Sequence, residues 1–293
     1  NMEHLILEVP EQSVNKYRNA SGWSDFKYIT AYHELAVSID DISCLDKGIT
    51  RNMVVRSEGE WEVTECPSWC HLSQTTSNVR TTEVTVCVDA STSPREGEIV
   101  FTLKDSGYKT SCLVSQYVAD VAEDTEIVLQ KATEGTREIP VFIVGDGFTA
   151  QQIAEGTYLE TMKKRMDEFF AIEPYKTYRN YFTVTTALAV SPEAGIGSAH
   201  TPVENKFETL VDGGFFCDYD ALRRYVKDVS SVISDANIGN ALVLIAVNLN
   251  TFGGTTKIFD DGLTVSLIPE SPYDYPYDTR GLVQYHAGGC GFG

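Results

Sequence analysis

Between Leu35 and Tyr117 the chain is a succession of short runs in which apolar and polar residues alternate. Glu83-Val84-Thr85-Val86-Cys87-Val88 and Glu98-Ile99-Val100-Phe101-Thr102-Leu103 are the clearest. A two-residue period sends successive side chains to opposite faces of a strand, so each run predicts a strand buried on one side. Clusters of turn-forming residues separate the runs, with no helical period between them, and this predicts a β-sandwich over residues 35–118. Residues 1–34 have few clear periods and read as an N-terminal extension.

After an acidic join, Asp120–Glu126, the texture changes. Residues 119–138 read as a linker that ends with a first short strand at Ile127–Leu129. Ile139–Val144 is a nearly continuous apolar run, the mark of a strand buried on both faces. It breaks at Gly145-Asp146-Gly147, a strand-end turn that lacks the pattern of a phosphate-binding loop. Thr149 and Gln152 form a capping box for one helix, whose inner stripe carries Met162, Met166, Phe169 and Phe170. Glu173-Pro174 stops it. Tyr181–Val190 is a second strand, and Asp218 caps a helix with Leu222, Tyr225, Val226, Val229, Val232 and Ile233 inside. Ala241–Val247 and Leu263–Ile268 read as further strands. The fold class expected is therefore α+β and multidomain: an immunoglobulin-like β-sandwich, then an α/β three-layer domain over 139–293 with a mostly parallel sheet.

Composition narrows the partners. The 293 residues carry a net charge of −19, which disfavours a nucleic-acid partner because phosphate contacts need clustered Lys and Arg. No apolar run reaches the length of a membrane span. The opening Asn1-Met2-Glu3-His4 lacks the regions of a secretory signal, so an exported form would be a mature or trimmed chain. Seven Cys, an odd number, leave at least one outside any intrachain pair. Cys66 and Cys70 have three residues between them rather than two, and read as structural.

The chemistry gathers at Arg280–Gly293, R-G-L-V-Q-Y-H-A-G-G-C-G-F-G. On a helix, His286 and Cys290 at i and i+4 share a face and would offer two ligands to a zinc ion. Four of the last six residues are Gly, at a cost of about 1 kcal/mol each inside a helix. Such a helix is expected to fray.

Two resemblances follow from longer motifs. Trp61, the run C-P-S-W ending at Trp69, V-T-V-C-V-D-A-S-T-S-P-R-E-G-E-I-V-F-T and the closing V-S-Q-Y resemble a BACON domain, whose name records a proposed carbohydrate-binding role. Trp61 and Trp69 are its candidate sugar platforms; as strand residues they read first as core.

The segments V-F-I-V-G-D-G-F-T, F-F-A-I-E-P-Y-K-T-Y-R-N-Y-F, V-S-P-E-A-G-I-G-S and L-I-A-V-N-L-N-T-F-G-G resemble the IgA-peptidase-type metallopeptidases. That resemblance implies a secreted or surface-exposed bacterial zinc peptidase of metzincin-like architecture. It also implies a sheet edge that receives the substrate, at Leu263–Ile268 or at Phe252, Gly253 and Gly254. By the same resemblance Tyr285 stands at the first His position, His286 at the catalytic Glu position and Cys290 at the second His. The acidic Asp-Glu-Tyr segment expected downstream lies beyond Gly293, as though the domain were truncated.

Two functions remain open. One is a zinc peptidase weakened or inactivated at its helix; the other is a non-catalytic surface protein that binds peptide, or glycan through the sandwich. His200 with Glu204, and Asp167 with Glu168, read as surface residues.

Overall fold

The computed structural model describes residues 6–10, 13–23, 28–32, 34–135 and 137–290. The chain divides into two compact units. One is formed by Asn1–Ile42, Ile49–Asp89 and Glu96–Val114; the other by Ser43–Gly48, Ala90–Arg95 and Ser115–Gly293.

In the first unit the alternating runs form strands as their period requires. Ile49–Ser57 pairs antiparallel with Thr81–Val88, and Leu35–Val37 and Cys70–Leu72 flank that pair in a four-stranded sheet. A second, five-stranded sheet includes Lys109–Gln116, Arg95–Leu103 and Trp61–Glu65. Every second residue of Thr81–Val88 is buried. Met53, Val55, Val84 and Val86 from one sheet, and Trp61, Ile99 and Phe101 from the other, supply the core.

The second unit is built on a six-stranded sheet. In chain order its strands are β1 (Glu126–Gln130), β2 (Ile139–Asp146), β3 (Phe182–Ala187), β4 (Leu242–Asn250), β5 (Thr255–Ile258) and β6 (Thr264–Glu270). The spatial order is β1-β3-β2-β4-β6-β5. The pairings β3 with β2, β2 with β4 and β4 with β6 are parallel, whereas β1 with β3 and β5 with β6 are antiparallel.

The expected three-layer α/β domain with a mostly parallel sheet is not what forms. Both edges of the sheet are antiparallel, and the protein is mostly β, with 37% strand and 19% helix. The antiparallel strand β5 comes from a hairpin in Gly253–Leu263, a stretch too polar to register as a buried run. Asp261-Gly262, with Gly262 at φ 94°, is its turn signal.

The helices are also shorter than the pattern suggests. The Thr149–Gln152 capping box forms, but it opens only α1 (Ala150–Ala154). Gly156, in the left-handed region, then separates α1 from α2 (Thr157–Phe169). Asp218 caps α3 (Tyr219–Val229) by accepting from Asp220 N and Ala221 N. That helix ends at Ser230, so Val232 and Ile233 pack from a loop. One face of the sheet buries Val141, Ile143 and Leu244 with Tyr158, Met162 and Phe169. The opposite face buries Phe142, Val243 and Val265 beneath Leu222, Val226, the loop residue Phe207 and Phe215 of a short strand, with one helix in place of a helical layer.

Two smaller readings change as well. Asp146, at the end of β2, is wholly buried and accepts from Gly147 N, Ser191 Oγ, Lys206 N and Phe207 N, so the Gly-Asp-Gly turn anchors two loops. Glu168 is not a solvated face, because it accepts from the buried Arg165 at 2.7 Å.

Candidate functional site

The site assembles where β5, the loop before it and the last helix meet. Asp278 accepts from Gly281 N at 2.8 Å and caps α4 (Thr279–Val283). The chain continues as one wide helical turn, Gln284–Cys290, whose i→i+5 winding is often found at functional sites. Gly288 is closely packed. A Cβ on Gly288 would lie 3.1 Å from the Tyr175 ring, and the Tyr175 hydroxyl donates to Gly288 O at 2.5 Å.

This turn is tied to the sheet edge through one carbonyl. His286 O accepts from Thr256 Oγ1 at 3.0 Å and from Ser266 Oγ at 3.4 Å. The His286 ring lies over Gly254, where a Cβ would come within 2.6 Å of Cδ2 and 2.8 Å of Nε2. Only glycine permits that approach. Burial holds the His286 pKa below the usual histidine value. Tyr285 is exposed, its ring perpendicular to that of His286 at 5.0 Å.

A loop returning from β6 forms the facing wall. Ser271 N donates to Thr279 Oγ1 at 2.8 Å, and Ser271 Oγ donates to Tyr277 O at 2.5 Å. The fold of this loop brings Tyr273 and Tyr277 edge-on to Phe252, at 5.7 and 5.9 Å. The Arg280 guanidinium sits 4.5 Å from the centre of the Tyr275 ring. The result is a hollow of about 740 Å³ beside β5, walled by Phe252, Gly253, Gly254, Tyr275, Tyr277, Tyr285 and His286.

Phe252, Gly253, Gly254, Tyr285 and His286 are thus brought together as singled out from the sequence. Cys290 closes the helical turn with its backbone, and its side chain lies outside the described residues. Of the two edge candidates, Leu263–Ile268 falls mostly in β6, an interior strand paired on both sides. The edge is β5, directly after the Phe252-Gly253-Gly254 loop. Tyr273, Tyr275 and Tyr277 were missed; their alternate spacing around Pro276 was the available signal.

The two tryptophans separate. Trp61 is fully buried, 5.6 Å from the Phe101 ring, with no face open to a sugar. Trp69 is half-buried and packs near Gly97. His200 and Glu204 are exposed loop residues. Burial pushes the Cys44 and Cys112 thiols up to about 12, in keeping with structural roles.

A catalytic zinc normally takes three protein ligands and a water. Among the described residues no group of three His, Cys, Asp or Glu is arranged to hold a metal. The hollow offers one imidazole and no carboxylate. The described donor set does not fit a zinc centre.

Residues 127–267 match the family described as IgA Peptidase M64, and residues 59–116 match BACON, a putative N-terminal binding domain. The second unit carries an M64 peptidase domain. M64 is a metallopeptidase family, consistent with zinc in the family. The two domains together point to a protein or glycan ligand in general. No helix among the described residues is long and apolar enough to cross a membrane.

No curated protein matches the M64-containing chain. Among solved structures, WR4, a C. elegans MSP family member, is 11% identical with a TM-score of 0.24, over 30% of this chain and 100% of that one. A Bacteroides ovatus GH5 xyloglucanase in complex with a XXXG heptasaccharide is 11% identical with a TM-score of 0.28, over 72% and 45%. A family 123 glycoside hydrolase from Clostridium perfringens is 9% identical with a TM-score of 0.25, over 98% and 55%. Likenesses this low bear on neither the fold nor the function.

Proposed function

We propose that this is a secreted or surface-held bacterial protein whose M64 domain holds polypeptide at the β5 edge and hydrolyses it weakly or not at all. Residues 35–118 then serve as the β-sandwich mount, joined through 119–138.

One observation carries the reading. The hollow beside the sheet edge is lined by His286 and Tyr285 and contains no carboxylate. Hydrolysis by an activated water needs a base within reach whose pKa suits the task. In the family resemblance that base is a Glu at the position of His286. An imidazole there would have to act as base in a site that also lacks the first His ligand, replaced by Tyr285. The substitution removes the carboxylate while the edge strand remains.

That edge supports binding. β5 pairs only with β6, so one row of its N–H and C=O groups has no strand partner among the described residues. An incoming extended peptide can add to such a row as a further strand.

A quenched-fluorescence peptide library incubated with the protein and excess zinc tests the reading. Hydrolysis at or barely above the protein-free control is expected. Rapid turnover that disappears in His286→Ala would overturn it.

A further inference from the structure

The walls of the hollow are chemically one-sided. Charged residues make up 22% of the chain, yet among the described residues none of the twelve lining this space is Asp, Glu, Lys or Arg. Phe252, Tyr275, Tyr277 and Tyr285 are 48%, 58%, 61% and 67% exposed, a concentration of large rings left open to solvent. Arg280, next to the lining residue Gly281, is engaged by the Tyr275 ring and lies 3.9 Å from the Asp278 carboxylate. The His286 ring lies against Gly254 at the inner end of this wall. At about 740 Å³ the space falls in the range of ligand pockets, roughly 300–1,000 Å³.

We infer that this hollow is a specificity pocket for peptides, accepting a large uncharged side chain, aromatic by preference, from a chain laid along Thr255–Ile258. The inference rests on the peptide-holding reading above and deepens it. An aromatic side chain entering the pocket meets ring faces and edges, which favour another ring beyond simple burial. A carboxylate or ammonium entering it would lose water with no counter-ion on the wall, which is costly. Among the described lining residues the polar side-chain groups are Gln284, His286 and the hydroxyls of Tyr275, Tyr277 and Tyr285, so a sugar is the competitor that the test must include. The adjacent strand edge, by contrast, supplies the backbone groups that a peptide uses. Phe252 and Tyr277, edge-on at 5.9 Å, are in ring-to-ring contact and form one continuous aromatic wall.

Fluorescence anisotropy with short labelled peptides tests this, the set being alike except for one position bearing Phe, Tyr, Leu, Lys or Asp. The Phe and Tyr members are expected to bind about tenfold more tightly than the Lys and Asp members, the size of effect expected for one desolvated charge without a partner. Tyr277→Ala should erase most of that difference, and Tyr277→Phe should keep it. Binding that is equal across the set overturns the pocket assignment while leaving peptide holding intact. Binding of no peptide at all overturns both, as does binding of cellohexaose in place of every peptide.

Discussion

The carbonyl of His286 accepts a hydrogen bond from the hydroxyl of Thr256, which fastens the last helical turn to the outermost strand of the sheet. Pocket wall and peptide edge are therefore one mechanical unit. Thr256→Val should cost about 1 kcal/mol, the usual net worth of such a bond. Amide exchange at residues 284–289 should accelerate in that variant, and exchange in β2 should not.

Gly254 makes the second contact between the same two elements. A side chain at this position would press into the His286 imidazole, 2.6 Å from the nearest ring atom. Gly254→Val is expected to destabilise the M64 domain by about 1–3 kcal/mol, the typical cost of overpacking. The His286 ring resonances should shift in the NMR spectrum, because the ring must leave its seat. Gly59→Ala, where an added Cβ would meet only the Leu103 side chain at 3.7 Å, serves as the control.

The fold was legible where burial is simple and illegible where it is not. Ile139–Val144 announced itself because both of its faces are covered. β5 did not, since it is half-exposed, polar and short, and only its Asp261-Gly262 turn marks it. The α1–α2 break at Gly156 was hidden by a stripe that continues across it. Around the hollow, His286 and the Phe252–Gly254 loop were singled out from motif order. The tyrosine wall was not, because the alternate spacing of Tyr273, Tyr275 and Tyr277 falls in a loop, whose course depends on tertiary bonds such as those of Ser271.

Glu270 offers a pH-dependent test. It ends β6 and accepts from Lys164 at 2.7 Å and from Arg165. Burial pushes its pKa upward, but the two cations outweigh this and hold the carboxyl below its usual value. A carboxylate with a depressed folded pKa contributes stability that is present above its unfolded value, near 4.5, and lost as pH falls through the folded one. Wild type should therefore lose more stability than Glu270→Gln on acidification below pH 4.5. At pH 7 the variant should be weaker by about 1–2 kcal/mol, an estimate reduced for the exposed side of the pair. Urea denaturation at several pH values measures both.

Trp61 separates core from ligand site in the first unit. Trp61→Ala should cost about 3–5 kcal/mol, as for other fully buried large rings. Denaturation should report that loss, and titration with any glycan that wild type binds should report no change at Trp69.

Metal removal bears on the helix. Wild type should carry zinc well below one equivalent, and its melting temperature should not move on addition of a chelator. A stoichiometric ion whose loss lowers the melting temperature would place a binding set at this helix.

The most direct measurement follows hydrogen exchange and peptide integrity in one sample, mixing the protein with an aromatic-containing peptide and excess zinc. The account predicts slowed exchange at Thr255–Ile258 and at the turn carrying His286, with the peptide recovered at full mass. Protection confined to other strands, or steady accumulation of cut peptide, would contradict it.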